Sequence, residues 1–285
     1  MTTKTLPIRG EARLAARDGT ELYERWWLPV RVAKATVLIV HGLGEHIGRY
    51  DRVASELNAA GFAVFGYDHR GHGRSAGVRG YIDSFEQLVE DADTYVAHVR
   101  ARRPPEPIFL MGHSMGGTVV TSLAVTRPPA VRGLVLSSPG LKVADGFSPI
   151  VIRIGRVLAR LLPKAPTQKL SSKFVSRDPA VVAAYDADPL VYHGGVRART
   201  GAEILDTMDR IHGRMEEVTL PFLVFHGTED KLTDCQGSRE LHARARSADK
   251  TIHVYDGLYH ECLNEPERER VVADMLEWLN ARSGS

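Results

Sequence analysis

Along most of the chain, short apolar runs alternate with segments whose apolar positions recur every three or four residues. Glu21 to Leu28 alternates its side chains as a half-buried strand does, and residues 10 to 28 read as two antiparallel opening strands. Six further runs are apolar nearly throughout: Thr36 to Val40, Phe62 to Tyr67, Ile108 to Met111, Gly133 to Ser137, Phe222 to Phe225 and Thr251 to Tyr255. Helical spacing falls between them, at about residues 50–60, 84–102, 115–126, 236–246 and 266–281. Continuous apolar strands separated by helices predict an α/β fold whose mostly parallel, eight-stranded sheet is covered on both faces.

The alternation breaks between Gly140 and about Val218, where no comparable strand occurs. Residues 140–218 therefore read as a helical cap inserted into a core made of 1–139 and 219–285. Within the cap, Phe147 to Arg177 carries seven basic residues and no acidic one. Phe147, Ile150, Val151, Ile154, Leu158 and Leu161 recur opposite Arg153, Arg156 and Arg160, which gives a basic amphipathic helix. Such a helix either packs on its own domain or acts as a lid that touches lipid. Ile150, Ile154 and Leu158 are the lid candidates.

Composition narrows the possibilities. With 285 residues the chain can build one sizeable core, and a formal net charge of +2 provides no field to hold a nucleic acid. Two cysteines, Cys235 and Cys262, are too few for a disulfide framework. No apolar run is long enough to cross a bilayer, and Met1 to Arg17 lacks the apolar centre of a secretory signal. The expectation is a cytoplasmic protein, with at most transient contact with a membrane or lipid surface.

The pattern G-x-S-x-G occurs twice, around Ser75 and around Ser114. A nucleophile elbow needs a strand that enters a sharp turn, small residues around that turn, and a helix that starts at once. Only Ser114 meets all three conditions, with Ile108 to Met111 before it, Gly112, Gly116 and Gly117 around it, and Thr118 to Thr126 after it. Ser75 lies beyond its strand in the glycine-rich run from Asp68 to Gly73 and reads as a loop residue.

A serine hydroxyl needs a base, and the base needs an acid to fix its tautomer. The chain order in this architecture is Ser, acid, His. His242 falls on a helix and His253 within a strand, whereas His260 follows the final strand in a loop, so His260 is the expected base. Asp230 is the favoured acid, because His226 to Asp230 leaves its strand by a short turn; Asp145, after the preceding strand, is the rival. Glu229 and Asp234 then read as solvated loop charges. The oxyanion donors expected are the backbone N–H groups of Met115 and Leu43. The glycines at 42, 44 and 48 miss the dinucleotide spacing, and Asp68, His69 and His72, like His41 and His46, match no metal motif. No cofactor and no metal is expected.

Taken together, HGLGEHIGRY at 41–50, DHRGHGRS at 68–75, GHSMGG at 112–117, SRDPAVVAAYDADPL at 176–190 and HGTED at 226–230 resemble the α/β-hydrolase superfamily and, within it, the bacterial monoacylglycerol lipases. The resemblance implies a Ser114, Asp230 and His260 triad, in agreement with the reading above. It also implies that Glu45, Arg49 and Tyr185 approach the glycerol end of the substrate. One departure stands out: mammalian members have a second histidine three residues after the catalytic one, where this chain has Leu263. The expected activity is hydrolysis of monoacylglycerols through an acyl-enzyme. A lysophospholipase or broad carboxylesterase would use the same machinery, a peptidase is more distant, and a non-catalytic ligand-binding scaffold would not need an intact triad.

Overall fold

The computed structural model describes residues 8–103, 106–144 and 149–284. All eight expected strands form: β1 (Ile8–Ala15), β2 (Glu21–Leu28), β3 (Ala35–Val40), β4 (Phe62–Tyr67), β5 (Ile108–His113), β6 (Gly133–Ser137), β7 (Phe222–Gly227) and β8 (Lys250–Tyr255). They join one sheet in the order β1-β2-β4-β3-β5-β6-β7-β8. β1 pairs antiparallel with β2 and β2 with β4, and every other pairing is parallel. β5 runs past its apolar segment because Gly112 and His113 continue the ladder against Leu136 and Ser137.

The helices that cover this sheet are α1 (Asp51–Ala59), α2 (Phe85–Arg102), α3 (Met115–Thr126), α7 (Cys235–Arg244) and α8 (Arg268–Ser283). Strand side chains alternate between two separate cores. Ala35, Val37 and Ile39 of β3 pack with Val53 and Leu57 of α1 and with Met275 and Leu279 of α8. Leu38 and Val40 point the other way, into the core holding Leu88 of α2, Val119 of α3 and Leu241 of α7. Burial on both faces explains why the strands read as unbroken apolar runs, each fully buried Val, Leu or Phe contributing about 1.5–3 kcal/mol.

Between β6 and β7 the described residues contain no strand and three α-helices, α4 (Pro149–Leu161), α5 (Pro179–Ala187) and α6 (Ala198–His212), with short 3-10 turns at Ser172–Phe174 and Met215–Glu217. The Asp178 side chain caps α5 by accepting from Ala180 N, and Pro179 opens the first turn. α6 is anchored through Thr200, whose hydroxyl donates to Gly80 O at 3.1 Å and accepts from Ile82 N at 2.8 Å. α4 lies along α6, and Arg156 reaches Asp206 and Asp209, each at 2.9 Å. Asp145 and Phe147 lie outside the described residues, as does the side chain of Ile150. Asp234 is not the solvated loop charge its surroundings suggested, since its carboxylate accepts from Gln236 N at 2.8 Å and caps α7.

Candidate active site

β3, β5, β7 and β8 end on the same edge of the sheet, and the loops that leave them carry the candidate residues, as open parallel sheets dictate. Ser114 is the single residue between β5 and α3. Its φ of 52° and ψ of −119° put a non-glycine residue in a strained conformation. Two close approaches make the turn possible: a Cβ on Gly112 would collide with the backbone of Gly116, and one on Gly116 with the carbonyl of Val40. Ser114 N donates to Ser137 O at 3.0 Å, and its carbonyl accepts from Thr118 N and Gly140 N, so both sides of the elbow are fixed. Met115 opens α3, whose unpaired N–H groups and positive dipole end lie beside Ser114.

Asp230 and His260 come together from loops after β7 and β8. His260 Nδ1 lies 2.6 Å from Asp230 Oδ2, and both side chains are buried. The carboxylate is held from every side: Oδ1 accepts from Leu232 N and Thr233 N at 2.8 and 3.0 Å, and Oδ2 also accepts from the Thr233 hydroxyl at 2.9 Å. His226 Nε2 adds a contact at 3.1 Å, with its Nδ1 against the Ser238 hydroxyl at 2.8 Å. Burial opposes ionisation of Asp230, but the His260 and His226 imidazoles outweigh it and keep the carboxyl well below its ordinary range. Burial likewise opposes the charged form of His260, and the Asp230 carboxylate overcomes it, so the imidazole sits above its ordinary value.

Ser114 and His260 open into one cavity of about 550 Å³, which Leu43 and Met115 also line. Leu158 of α4 and Ile204, Leu205 and Met208 of α6 make its walls apolar. Its other end is polar. Glu45 Oε1 accepts from Gly42 N at 2.6 Å and Tyr50 Oη at 2.9 Å, while Arg49 reaches Glu45 Oε2 at 2.9 Å. Arg49 also stacks 4.7 Å from the Tyr185 ring, whose hydroxyl burial pushes up to about 12. Glu45, Arg49 and Tyr185 thus form one connected group on the cavity wall, with Glu45 buried and the other two partly so, rather than separate surface contacts.

Other candidates separate from this site. Ser75 Oγ accepts from Tyr23 N at 2.8 Å and donates to Asp68 O at 2.5 Å, which makes it a tie between β2 and the loop after β4. Glu229 is solvent-facing and pairs with Lys231. His41, His69 and His72 cluster with ring centroids 4.5–6.2 Å apart. Each makes a backbone contact: His41 Nε2 accepts from His69 N, His69 Nε2–H donates to His41 O, and His72 Nδ1–H donates to Arg70 O. Among the described residues no group of three or more His, Cys, Asp or Glu is placed to hold a metal.

Two residues in the site have no role in the sequence reading. His226 stands four residues before Asp230 inside HGTED, and its place at the end of β7 was the available signal. Glu261 directly follows His260, and its signal was an acid next to the expected base and ahead of Cys262 and Leu263. Its carboxylate takes Arg49 in a two-pronged contact at 2.6 and 2.9 Å.

Residues 31–267 match the family described as serine aminopeptidase, S33 (Hydrolase_4). The chain is 39% identical over 271 residues to a monoacylglycerol lipase of Mycolicibacterium smegmatis, covering 95% of this chain and 97% of that one. It is 35% identical to the monoglyceride lipase of Mus musculus, covering 99% and 94%. The crystal structure of Paleococcus ferrophilus monoacylglycerol lipase superposes with a TM-score of 0.80 at 34% identity, covering 98% of this chain and all of that one. The chain belongs to the monoacylglycerol lipase family of α/β-hydrolases.

Proposed function

We propose that this protein is a serine ester hydrolase that cleaves monoacylglycerols to a fatty acid and glycerol. The observation that carries this reading is the cavity that Ser114, on its strained turn, and His260 both line, together with apolar side chains and the Glu45, Arg49 and Tyr185 group. Relatives at 35–39% identity that bear the names monoacylglycerol and monoglyceride lipase support the same substrate class.

In this mechanism the Ser114 hydroxyl attacks the ester carbonyl as His260 takes its proton. Asp230, anchored by two backbone N–H groups, holds the His260 Nδ1–H and stabilises the imidazolium that forms. The oxyanion is met by the N–H groups of Met115 and Leu43, the first reinforced by the α3 dipole. The protonated His260 gives its proton to the departing glycerol oxygen. Water activated by the same imidazole then attacks the acyl-enzyme and releases the fatty acid. Glu45, Arg49 and Tyr185 orient the glycerol, and the apolar walls receive the acyl chain.

Residues 140–218 form the cap in this reading, with 1–139 and 219–285 as the hydrolase core. α4 is its lid. Ile154 and Leu158 line the cavity, Ile154 being half exposed, while Val157, Leu161 and Leu162 face outward. An exposed apolar strip flanked by Arg153, Arg160 and Lys164 supports reversible contact with an anionic lipid surface. Among the described residues no helix is long and apolar enough to cross a membrane.

The test is a rate panel of monoacylglycerols, diacylglycerols, lysophospholipids and p-nitrophenyl esters with wild type and Ser114→Ala, alongside labelling by a fluorophosphonate. The expected result is highest kcat/KM on monoacylglycerols and loss of both turnover and labelling in the variant. A preference for another class would overturn the substrate, and an unlabelled wild type the mechanism.

A further inference from the structure

The position directly after His260 carries an acid that proton transfer does not use. The side chain of Glu261 is only 6% exposed, and beyond its two bonds to Arg49 it accepts from Asn264 Nδ2 at 2.8 Å. Its backbone N–H donates to Val175 O at 2.8 Å, which ties the His260 loop to the inserted segment and fixes where the carboxylate points. On the other side of the same guanidinium lies Glu45, whose side chain is 5% exposed. Arg49 Nη1 is shared, 2.6 Å from Glu261 Oε1 and 2.9 Å from Glu45 Oε2.

Two buried carboxylates on one cation leave a net charge of −1, and both line the cavity that Ser114 and His260 enter. Glu261 Oε1 and Glu45 Oε2 each hold Arg49 Nη1 as their donor among the described residues, and a carboxylate oxygen can accept more than one. This end of the cavity is therefore rich in acceptors and negative. Hydroxyl groups satisfy such acceptors, whereas a second anion in a buried site meets repulsion and loses its own hydration.

We propose that Glu261 is a specificity-determining residue that, together with Glu45, makes the alcohol end of the cavity take an uncharged, hydroxyl-bearing leaving group and reject an anionic one. The inference rests on the ester-hydrolase reading above and concerns which alcohol is accepted. A unit charge about 6 Å from the excess carboxylate, at an effective dielectric near 20, is disfavoured on the order of 100-fold, and ionic screening leaves tenfold or more.

The experiment compares 1-oleoylglycerol with 1-oleoylglycerol 3-phosphate, which share an acyl chain, as monomers at fixed pH and salt. Wild type should favour the neutral ester at least tenfold in kcat/KM. Glu261→Gln should bring the two within about threefold, chiefly through a lower KM for the phosphate-bearing ester, and Glu261→Asp, which keeps the charge, should keep the preference. Equal use of both esters by wild type, or a Gln variant as selective as wild type, overturns the proposal. A second measurement needs no variant: the phosphate ester should inhibit wild-type p-nitrophenyl butyrate hydrolysis at least tenfold more weakly than the neutral ester, and equal inhibition also overturns it. If wild type cleaves p-nitrophenyl butyrate but not 1-oleoylglycerol, the monoacylglycerol reading fails instead, and the inhibition comparison still decides the charge argument.

Discussion

At the scale of single residues, the two serines in identical local patterns differ in backbone. Ser114 has a φ of 52° in a turn between strand and helix, whereas Ser75 spends its hydroxyl on Tyr23 N and Asp68 O. Ser114→Ala should therefore lower ester turnover by on the order of 10⁴-fold or more without loss of stability. Ser75→Ala should do the reverse, keeping most activity and lowering stability by about 1–2 kcal/mol as a buried N–H loses its acceptor. Rates together with thermal melts of both variants check this, and comparable activity losses would remove the distinction. For the acid, Asp230→Asn should cost about 10³- to 10⁴-fold in kcat, because an amide facing His260 Nδ1 favours the wrong tautomer. That variant should stay folded but melt below wild type, since an amide oxygen can still accept from Leu232 N and Thr233 N while the charge that faces His260 and His226 is lost. Activity within tenfold of wild type would move the acid elsewhere.

At the scale of elements, strands and the elbow were legible because both follow from local pattern: apolar runs for strands, and glycines where backbones must touch. The polar end of the cavity was less so. Glu45 and Arg49 are one turn apart, but Glu261 is 212 residues from Arg49, and nothing in local spacing announces a pair made by the loops after β3 and β8. Asp234 misled for a related reason, since a capping acid and a loose loop acid differ only in whether a helix starts after them. The stripe of α4 is a mixed case. Periodicity found Leu158 and Leu161 but not their division, Leu158 being turned into the cavity and Leu161 outward at 73% exposure, and it passed over Val157, which is 55% exposed beside them. Val157→Ser combined with Leu161→Ser should therefore weaken binding to anionic vesicles, by about tenfold for two apolar side chains withdrawn from a lipid interface, while short-ester hydrolysis stays within twofold. Vesicle co-sedimentation at low and high salt measures it, with screening expected to weaken the wild type as salt rises. Unchanged binding in the double variant would return α4 to a purely internal role.

At the scale of the whole molecule, the sheet buries a set of histidines that the reaction leaves alone, and they set how the fold responds to acid. His41, His69 and His72 sit under the carboxyl ends of β3 and β4, all buried, and burial holds His41 and His69 well below their ordinary value and His72 down to about 4. An imidazole whose folded-state value is depressed stays neutral in the fold but takes up a proton in the unfolded chain once the pH drops below about 6.5. Above that pH the three add nothing to the pH dependence. Below it the unfolded state binds more protons, so stability falls with pH at up to about 1.4 kcal/mol per unit for each histidine, a loss that for His72 levels off below about 4. His260 acts with the opposite sign: its raised value gives stability that is complete below about 6.5 and is lost at higher pH. Burial also raises Asp68 and Asp91 above their ordinary value, which acts with the sign opposite to that of the buried histidines. Chemical unfolding measured every half unit from pH 7.5 to 5 should therefore show stability declining below pH 6.5. In His72→Asn, whose amide nitrogen takes the place of the Nδ1 that donates to Arg70 O, that decline should be shallower by about one proton's worth, and an identical slope in variant and wild type would show that His72 is not among the groups responsible.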